Sequence, residues 1–223
     1  TVSASESQTQ NNSASLGMVS AFANGQATVT LTNTEAENVT VTAADPDTNN
    51  PPVISSGQTL VSFAPAAASK IVFTSNAQTL TANTASAAYM AEVRDQYDNK
   101  RASDALVLGL ASNSATGKFD TASGGLFNGT VTTITTSAGV GTFYYKDTVA
   151  GSPVISVSKT GLTGASQAQT VNFGTVSPVV TSVSYKAGAL TNNTIAWTSS
   201  ALPQNGKIEL DFPVGYDLSG TLV

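Results

Sequence analysis

The 223-residue chain has no cysteine. Disulfide staples, thiolate metal centres and thiol nucleophiles are therefore excluded, and the fold must be held by packing and hydrogen bonds alone. Histidine is absent too. That removes the commonest general base together with the commonest transition-metal ligand, so Ser-His-Asp triads and histidine-held zinc or iron are out of reach. Charge is scarce: Asp, Glu, Lys and Arg make up 10% of the chain, against roughly 25% in an ordinary soluble protein. The nine Lys and Arg stand apart from one another and the net charge is −5. With no basic stripe, no nucleic-acid partner is expected. No apolar run approaches the ~20 residues a membrane helix needs, so no membrane span is expected. No signal peptide is visible, and the polar start at Thr1 is that of a mature, processed or excised segment.

Ser, Thr, Asn, Ala and Gly fill the place of the missing charges, while apolar residues still reach 40%. A core is within reach, and the surface is kept wet by hydroxyls and amides. This mixture is common outside cells and predicts an extracellular, cell-surface location. Period-two alternation runs through the chain and helical periodicity is nearly absent. Val29, Leu31, Val39 and Val41 alternate with Thr and Asn; Ile71 and Phe73 alternate with Lys70, Val72 and Thr74. Phe143, Tyr144 and Tyr145 form an aromatic strand, with one tyrosine expected to face outward. Val154, Ile155 and Val157 follow, then Val180, Val183 and Tyr185, then Ile195 and Trp197, then Ile208, Leu210 and Phe212. Turn signals punctuate these runs at Asn24-Gly25, Asp98-Asn99, Gly124-Gly125, Asn128-Gly129 and Asn205-Gly206. The stretch 82–90 reads as loop entering a strand. The pattern predicts an all-β chain of β-sandwich type.

The chain also echoes itself. NGQATVTLTNTEAENVTVT (24–42) parallels AGVGTFYYKDTVAGSPVISVS (138–158), and Val61-Ser62-Phe63 parallels Val171-Asn172-Phe173 at a spacing of about 110 residues, one sandwich unit long. Tandem immunoglobulin-like sandwiches with partial units at both ends are therefore expected. Residues 1–66 are the second half of a unit, 67–175 a complete one, and 176–223 the first half of another. Either the chain is a window of a longer array, or half-units complete each other between molecules. Ala64-Pro65-Ala66-Ala67 and Thr175-Val176-Ser177-Pro178 are the expected linkers.

ASKIVFTSNAQTLTAN (68–83), AEVRDQYDNK (91–100) and TTITTSAGVGTFYYKDTVAGSPVISVS (132–158) resemble bacterial immunoglobulin-like repeats of the invasin and intimin type. Where that family carries Asp-x-Tyr-Gly-Asn, this chain has Asp95-Gln96-Tyr97-Asp98-Asn99; Asp98 tolerates a left-handed turn, so the hairpin is expected to survive. The segment 202–220 is similar to the opening of another sandwich repeat of microbial surface proteins. The resemblance implies a cell-surface fold and leaves the ligand open, since such repeats serve as stalks, spacers, layer subunits and adhesin tips.

Several residues carry candidate chemistry. Asp45, Asp47 and Asn49 alternate along one turn and offer the hard oxygen ligands calcium prefers. Pro51 and the lack of a following Glu exclude an EF-hand, so the set is either a calcium site or a solvated loop. No other cofactor is expected. Asp95, Asp98 and Asp120 form a looser set, with Asp95 and Asp98 expected to shape a turn. Glu35 and Glu37 sit on the same side of one short loop, whereas glycosidases need carboxylates facing across a cleft. No enzyme activity is expected. Trp197, Tyr185 and Tyr216 suggest a sugar-stacking platform, although Ile195 on the same strand face as Trp197 favours a core role. Asn11, Asn38, Asn128 and Asn192 stand in Asn-x-Ser/Thr sequons and are candidate glycan acceptors where the source organism glycosylates.

The expected function is structural: a segment or subunit of a surface layer, sheath, fibre or adhesin stalk that associates with other copies or neighbouring repeats through strand edges. A carbohydrate- or receptor-binding adhesion module and an accessory domain of a larger secreted enzyme are the alternatives.

Overall fold

The computed structural model describes residues 1–6, 13–44 and 57–174, together with the strands at 177–181 and 194–198. Among the described residues there is no helix, and the chain is all-β.

The N-terminal part holds β1 (Val2–Glu6), β2 (Ser15–Leu16), β3 (Leu31–Thr32), β4 (Asn38–Ala43) and β5 (Gly57–Ser62). β1, β4 and β5 form an antiparallel sheet in the order β1–β4–β5. Val39 stands opposite Glu6 and Val61, and Val41 opposite Ala4 and Thr59. Because side chains alternate, Val2, Ala4, Val39, Val41 and Val61 share one face while Ser3, Ser5, Thr40 and Thr42 share the other. The β2–β3 ladder continues outward as a hairpin, with Gly17 N–H donating to Thr30 O (2.7 Å) and Ser20 N–H to Thr28 O (2.8 Å). Its tip is Asn24-Gly25, both left-handed (φ 52° and 77°), the pairing that fits the natural twist of a hairpin.

Residues 68–172 build the sandwich. Its strands are β6 (Ala68–Phe73), β7 (Thr79–Thr81), β8 (Tyr89–Asp95), β9 (Val107–Ser112), β10 (Lys118–Asp120), β11 (Thr133–Thr135), β12 (Val140–Lys146), β13 (Val154–Ser158), β14 (Ala165–Ala168) and β15 (Thr170–Asn172). One sheet runs β10–β12–β8–β6 and the other β11–β9–β13–β14, both antiparallel; β15 pairs in parallel with β7. With β6 as strand A, β8 as B, β9 as C, β10 as D, β12 as E, β13 as F and β14–β15 as G, these are the D-E-B-A and C-F-G sheets of the immunoglobulin arrangement. β11 adds an edge beside C, and β7 is a second piece of A laid along G.

Alternation decides the core. In β8, Tyr89, Ala91, Val93 and Asp95 are buried while Met90, Glu92 and Arg94 face out. In β12, Gly141, Phe143 and Tyr145 are buried and Tyr144 is half-buried on the outer face. The rings pack in sequence: Tyr89 stacks on Phe143 at 5.5 Å, Phe119 meets Phe143 edge-on at 5.7 Å, and Tyr145 lies tilted against Phe119 at 5.3 Å. Gly141 lets Ile134 lie against β12, since a Cβ there would come within 2.4 Å of its Cδ1. Removing one such ring costs about 3–5 kcal/mol, a large share of a domain's total of about 5–15 kcal/mol. The aromatic column therefore does here what disulfides do in smaller secreted domains. Among the described residues, no buried side-chain polar atom lacks a partner: Tyr89 OH donates to Gln169 Oε1 (2.6 Å) and Tyr145 OH to Asp147 Oδ2 (2.7 Å).

The self-similarity has a geometric counterpart. The order β1–β4–β5 repeats β9–β13–β14. Asn24 to Thr34 matches Ala138 to Thr148 residue for residue, and Ala138-Gly139 is also a left-handed pair (φ 49° and 75°). Both stretches end on an Asx turn: Glu35 N–H donates to Asn33 Oδ1 (2.9 Å) and Val149 N–H to Asp147 Oδ1 (3.1 Å).

Beyond the sandwich, β16 (Ser177–Thr181) and β17 (Thr194–Thr198) pair antiparallel, with Pro178 opposite Trp197. This corrects the linker expected at 175–178: Ser177 and Pro178 belong to a strand. Proline is accepted there because a strand at a ladder's edge has one side on which no N–H is needed.

Candidate functional site at the junction

A dense polar cluster lies where the N-terminal sheet meets the sandwich. It grows from the end of β8, where alternation turns Asp95 to the buried face with no exposed surface. Its Oδ1 accepts from the N–H groups of Tyr97 and Asn99, each at 2.9 Å. Its Oδ2 accepts from Ala66 N–H (2.8 Å) and from Asn99 Nδ2 (2.9 Å). Burial pushes the Asp95 pKa up, but the bonds from the Asn99 side chain and from the Ala66, Asn99 and Tyr97 N–H groups outweigh it, and the carboxyl sits below its ordinary value. One carboxylate thus shapes the hairpin and grips the strand that enters the sandwich. Asp98 takes φ 73°, the left-handed turn conformation that its sequence position was expected to adopt. It pairs with Lys70 at 2.8 Å on the surface.

Asn99 reaches the other way. Its Oδ1 accepts from Ala36 N–H (2.9 Å) and its Nδ2 donates to Thr34 O (2.8 Å) as well as to Asp95. The loop it touches is itself stiffened. Asn33 Nδ2 donates to Glu37 Oε1 (3.0 Å), Glu37 is buried, and Glu37 O accepts from Phe63 N–H (2.8 Å). Arg101 completes the clamp: Nη1 donates to Pro65 O (2.9 Å) and Ala66 O (2.8 Å), while Nε and Nη2 make a forked contact with Asp104 at 3.1 and 2.9 Å. The planar fork of arginine suits this double duty. The linker expected at 64–67 is thus held by side chains on both sides.

Other candidates fall apart or stand alone. Asp120 does not join Asp95 and Asp98; its carboxylate accepts from Ala122 and Phe127 N–H groups at 3.2 Å and orders its own loop, with Gly125 packed so closely that a Cβ would collide with it. Glu35 and Glu37 do not act as a surface pair, because Glu37 is turned inward and bonded. Tyr144 is half-buried, so neither tyrosine of the pair stands free in solvent. Asn38 opens β4 opposite Ser62 with its side chain exposed; Asn128 is exposed and its Oδ1 accepts from Thr130 N–H (3.1 Å) and Oγ1 (2.7 Å). Asp45, Asp47, Asn49, Asn11, Asn192, Tyr185 and Tyr216 lie outside the described residues. Among the described residues, no three of His, Cys, Asp or Glu gather where a metal ion could be held. The groove lined by Ala66, Ala68, Gln96 and Leu162 has no ionisable side chain on its wall. The second groove offers only Asp147, already engaged by Thr116, Tyr145 and Val149.

The roles of Asn99 and Arg101 were missed in the sequence. A signal for Asp95 was present, since an acid on the buried parity of a strand must be bonded. The partners of Asn99, more than sixty residues away along the chain, carry no local signature.

No protein-family model matches the chain, and no curated protein matches it. Solved structures do. A β-glycosidase from Bacteroides vulgatus is 11% identical over 67% of this chain and 19% of its own, with a TM-score of 0.40. Surface layer protein SbsC, domains 4–9, is 14% identical over 82% of this chain and 26% of its own, TM-score 0.36. SbsC domains 4 and 5 give 14% identity, 74% and 73% coverage, and a TM-score of 0.35. The chain spans about a fifth of the length of the glycosidase structure. All three are similar to this chain as β-rich proteins, and likeness at this level carries no functional argument.

Proposed function

We propose that this chain is a segment of an extracellular structural protein, of the surface-layer, sheath, fibre or stalk kind, made of immunoglobulin-like units in series. Residues 67–175 are one complete unit, 1–66 the second half of the preceding one, and 176–223 the first half of the next. The observation that carries this reading is the clamp of Asp95, Asn99 and Arg101, which fastens the polypeptide at Pro65–Ala66 and the loop at Thr34–Ala36 to the sandwich. An enzyme accessory domain has no need of a joint bonded through both its linker and its neighbour, whereas a serial load-bearing element does. Force arriving along the chain at residue 66 meets a buried carboxylate and a guanidinium before it reaches the core. The weakly charged, hydroxyl-rich surface suits close packing of copies, since few ions must be desolvated when surfaces meet. No catalytic role is assigned to the chain.

Two measurements test this. Immunogold labelling of source cells is expected to decorate the outer surface of intact cells; label seen only inside sectioned cells would overturn the reading. Single-molecule pulling from the two ends is expected to show one dominant unfolding step for the sandwich, with a contour gain of roughly 35 nm at ~3.6 Å per residue. Gradual extension without that step would argue against a load-bearing unit.

A further inference from the structure

The outer face of the β10–β12–β8–β6 sheet divides its charges unevenly. At one end Lys70 pairs with Asp98 (2.8 Å), Arg94 with Glu92 (2.8 Å) and Lys100 with Glu92 (3.6 Å). At the other, Lys118 of β10 stands directly opposite Lys146 of β12. Alternation puts both side chains on the outer face, since Phe119 and Tyr145 beside them are buried. Among the described residues neither ammonium has an acidic partner. Directly opposed side chains begin about 5 Å apart, and like charges at that spacing repel. In a chain with only nine Lys and Arg and a net charge of −5, two unneutralised lysines facing each other need a reason.

The loop 121–130 brings further donors to the pair. Lys146 Nζ lies over the Phe127 ring, 5.1 Å from its centre, and the Lys118 stem runs past Gly129, where a Cβ would meet Lys118 Cδ at 3.3 Å. Phe127 is buried yet left-handed (φ 47°), and Gly129 is left-handed as well (φ 85°). A bulky residue at positive φ is strained, and such strain collects at ligand clamps. Asn128 stands exposed between them. Its Oδ1 is taken up by Thr130 N–H and Oγ1, while its Nδ2 has no acceptor among the described residues. The backbone N–H groups of Asn128 and Gly129 lack one too. The acid two residues along from Lys118, Asp120, is engaged by the loop instead: the N–H groups of Phe127, Ala122, Thr121 and Leu126 hold its carboxyl below the ordinary range.

We propose that Lys118, Lys146 and the loop at Asn128 form a binding site for the acidic group, carboxylate or sulfate, of an anionic polysaccharide. The site offers donors and two positive charges, so an oxyanion that accepts from both ammonium groups turns their repulsion into a bridge. A saccharide is indicated over a free ion by Tyr144, the next outward-facing residue of β12, roughly 7 Å along the strand from Lys146. Its half-buried ring gives the apolar face of a sugar a flat surface to pack on. Thr142, exposed beyond it, extends the track with a hydroxyl. Nucleic acid is disfavoured, because a chain of net charge −5 without a basic stripe repels so dense a polyanion.

The test uses the full chain without glycans, because a sugar on Asn128 would cover the site. Oligogalacturonate, sulfated dextran, neutral dextran and inorganic sulfate are titrated in turn at low ionic strength while amide and lysine nitrogen NMR spectra are recorded. Saturable shifts at residues 118, 127–129, 144 and 146 are expected with one or both charged oligosaccharides, at affinity at least tenfold above that for sulfate, and none with neutral dextran. Lys118→Gln and Lys146→Gln should each weaken binding at least fivefold, and Lys159→Gln, at a lysine that also lacks an acidic partner, not at all. Tyr144→Ser should weaken the saccharides and leave sulfate unchanged. Lys118→Glu, which replaces repulsion by attraction across the same two strands, should abolish binding without lowering the thermal midpoint. No saturable shifts, shifts centred elsewhere, equal losses in Lys159→Gln, or equal binding of neutral dextran would each overturn the proposal. Sulfate bound as tightly as the charged oligosaccharides would overturn it as well, as an adventitious ion only.

Discussion

Among the buried groups, the carboxyls of Asp95 and Asp147 and the phenols of Tyr89 and Tyr145 set the pH limits of this fold. Burial opposes the charge on Asp95 and on Asp147, yet the bonds they accept win in both cases. For Asp95 these come from Asn99, Ala66 and Tyr97, and for Asp147 from Ser114, Thr116, Tyr145 and Val149; both pKa values lie below normal. A carboxyl whose pKa drops on folding binds fewer protons folded than unfolded. Its stabilisation is complete above the unfolded value of about 3.9 and is lost as the pH falls toward the folded value. Tyr89 and Tyr145 shift the other way: burial, aided for Tyr89 by Tyr145 and for Tyr145 by Asp147, raises both. Their contribution is complete below the unfolded value of about 10 and is lost as the pH climbs above it. The chain has no histidine to titrate between these limits. The urea midpoint is therefore expected to be flat from about pH 5 to about pH 9 and to fall on both sides. A midpoint that drifts steadily through neutrality would contradict this assignment.

At the scale of elements, the same hairpin turn occurs twice in different company. Gly139 needs its positive φ and also lets Arg101 O approach, while Gly25 needs only its φ. Gly25→Ala should cost about 1–2 kcal/mol, the strain of a left-handed alanine. Gly139→Ala should cost that and the displacement of a backbone carbonyl as well, about 3 kcal/mol or more in total. Denaturant midpoints of the two variants check the difference, and equal losses would mean that the Gly139 contact relaxes freely. These turns and strands were legible in the sequence because their signals are local: Asn24-Gly25 marks a tip, and every second residue of 140–146 declares its face. Pro178 misled for the same reason, since as a local signal it reads as linker and only the pairing with Trp197 reveals a strand. The clamp was illegible beyond Asp95. Whether Asn99 meets solvent or Thr34 depends on how two sheets approach each other, which no window of neighbouring residues encodes. Glu37 shows the same limit, as a loop carboxylate drawn inward by Asn33.

For the molecule as a whole, what matters is whether the N-terminal sheet and the sandwich keep one orientation. The bonds from Asn99 to Thr34 O and Ala36 N–H cross between them directly, while Arg101 and Asp95 fasten the connecting strand. A neutral hydrogen bond is worth about 0.5–1.5 kcal/mol net. Losing both Asn99 bonds therefore shifts the balance between held and released joints by about 2 kcal/mol, or roughly thirtyfold. Asp95 keeps its bonds from Ala66, Tyr97 and the Asn99 backbone in Asn99→Ala, so the sandwich itself should remain folded. Since the chain has no native cysteine, spin labels can be placed cleanly at exposed Ser3 and Thr160. The unmodified chain is expected to give a narrow distance distribution by pulsed electron resonance, and Asn99→Ala a markedly broader one, with the sandwich still folded and its thermal midpoint lowered only modestly by the lost bond to Asp95. Should the distribution stay equally narrow, the orientation is set by something other than this amide, and the clamp loses its mechanical role.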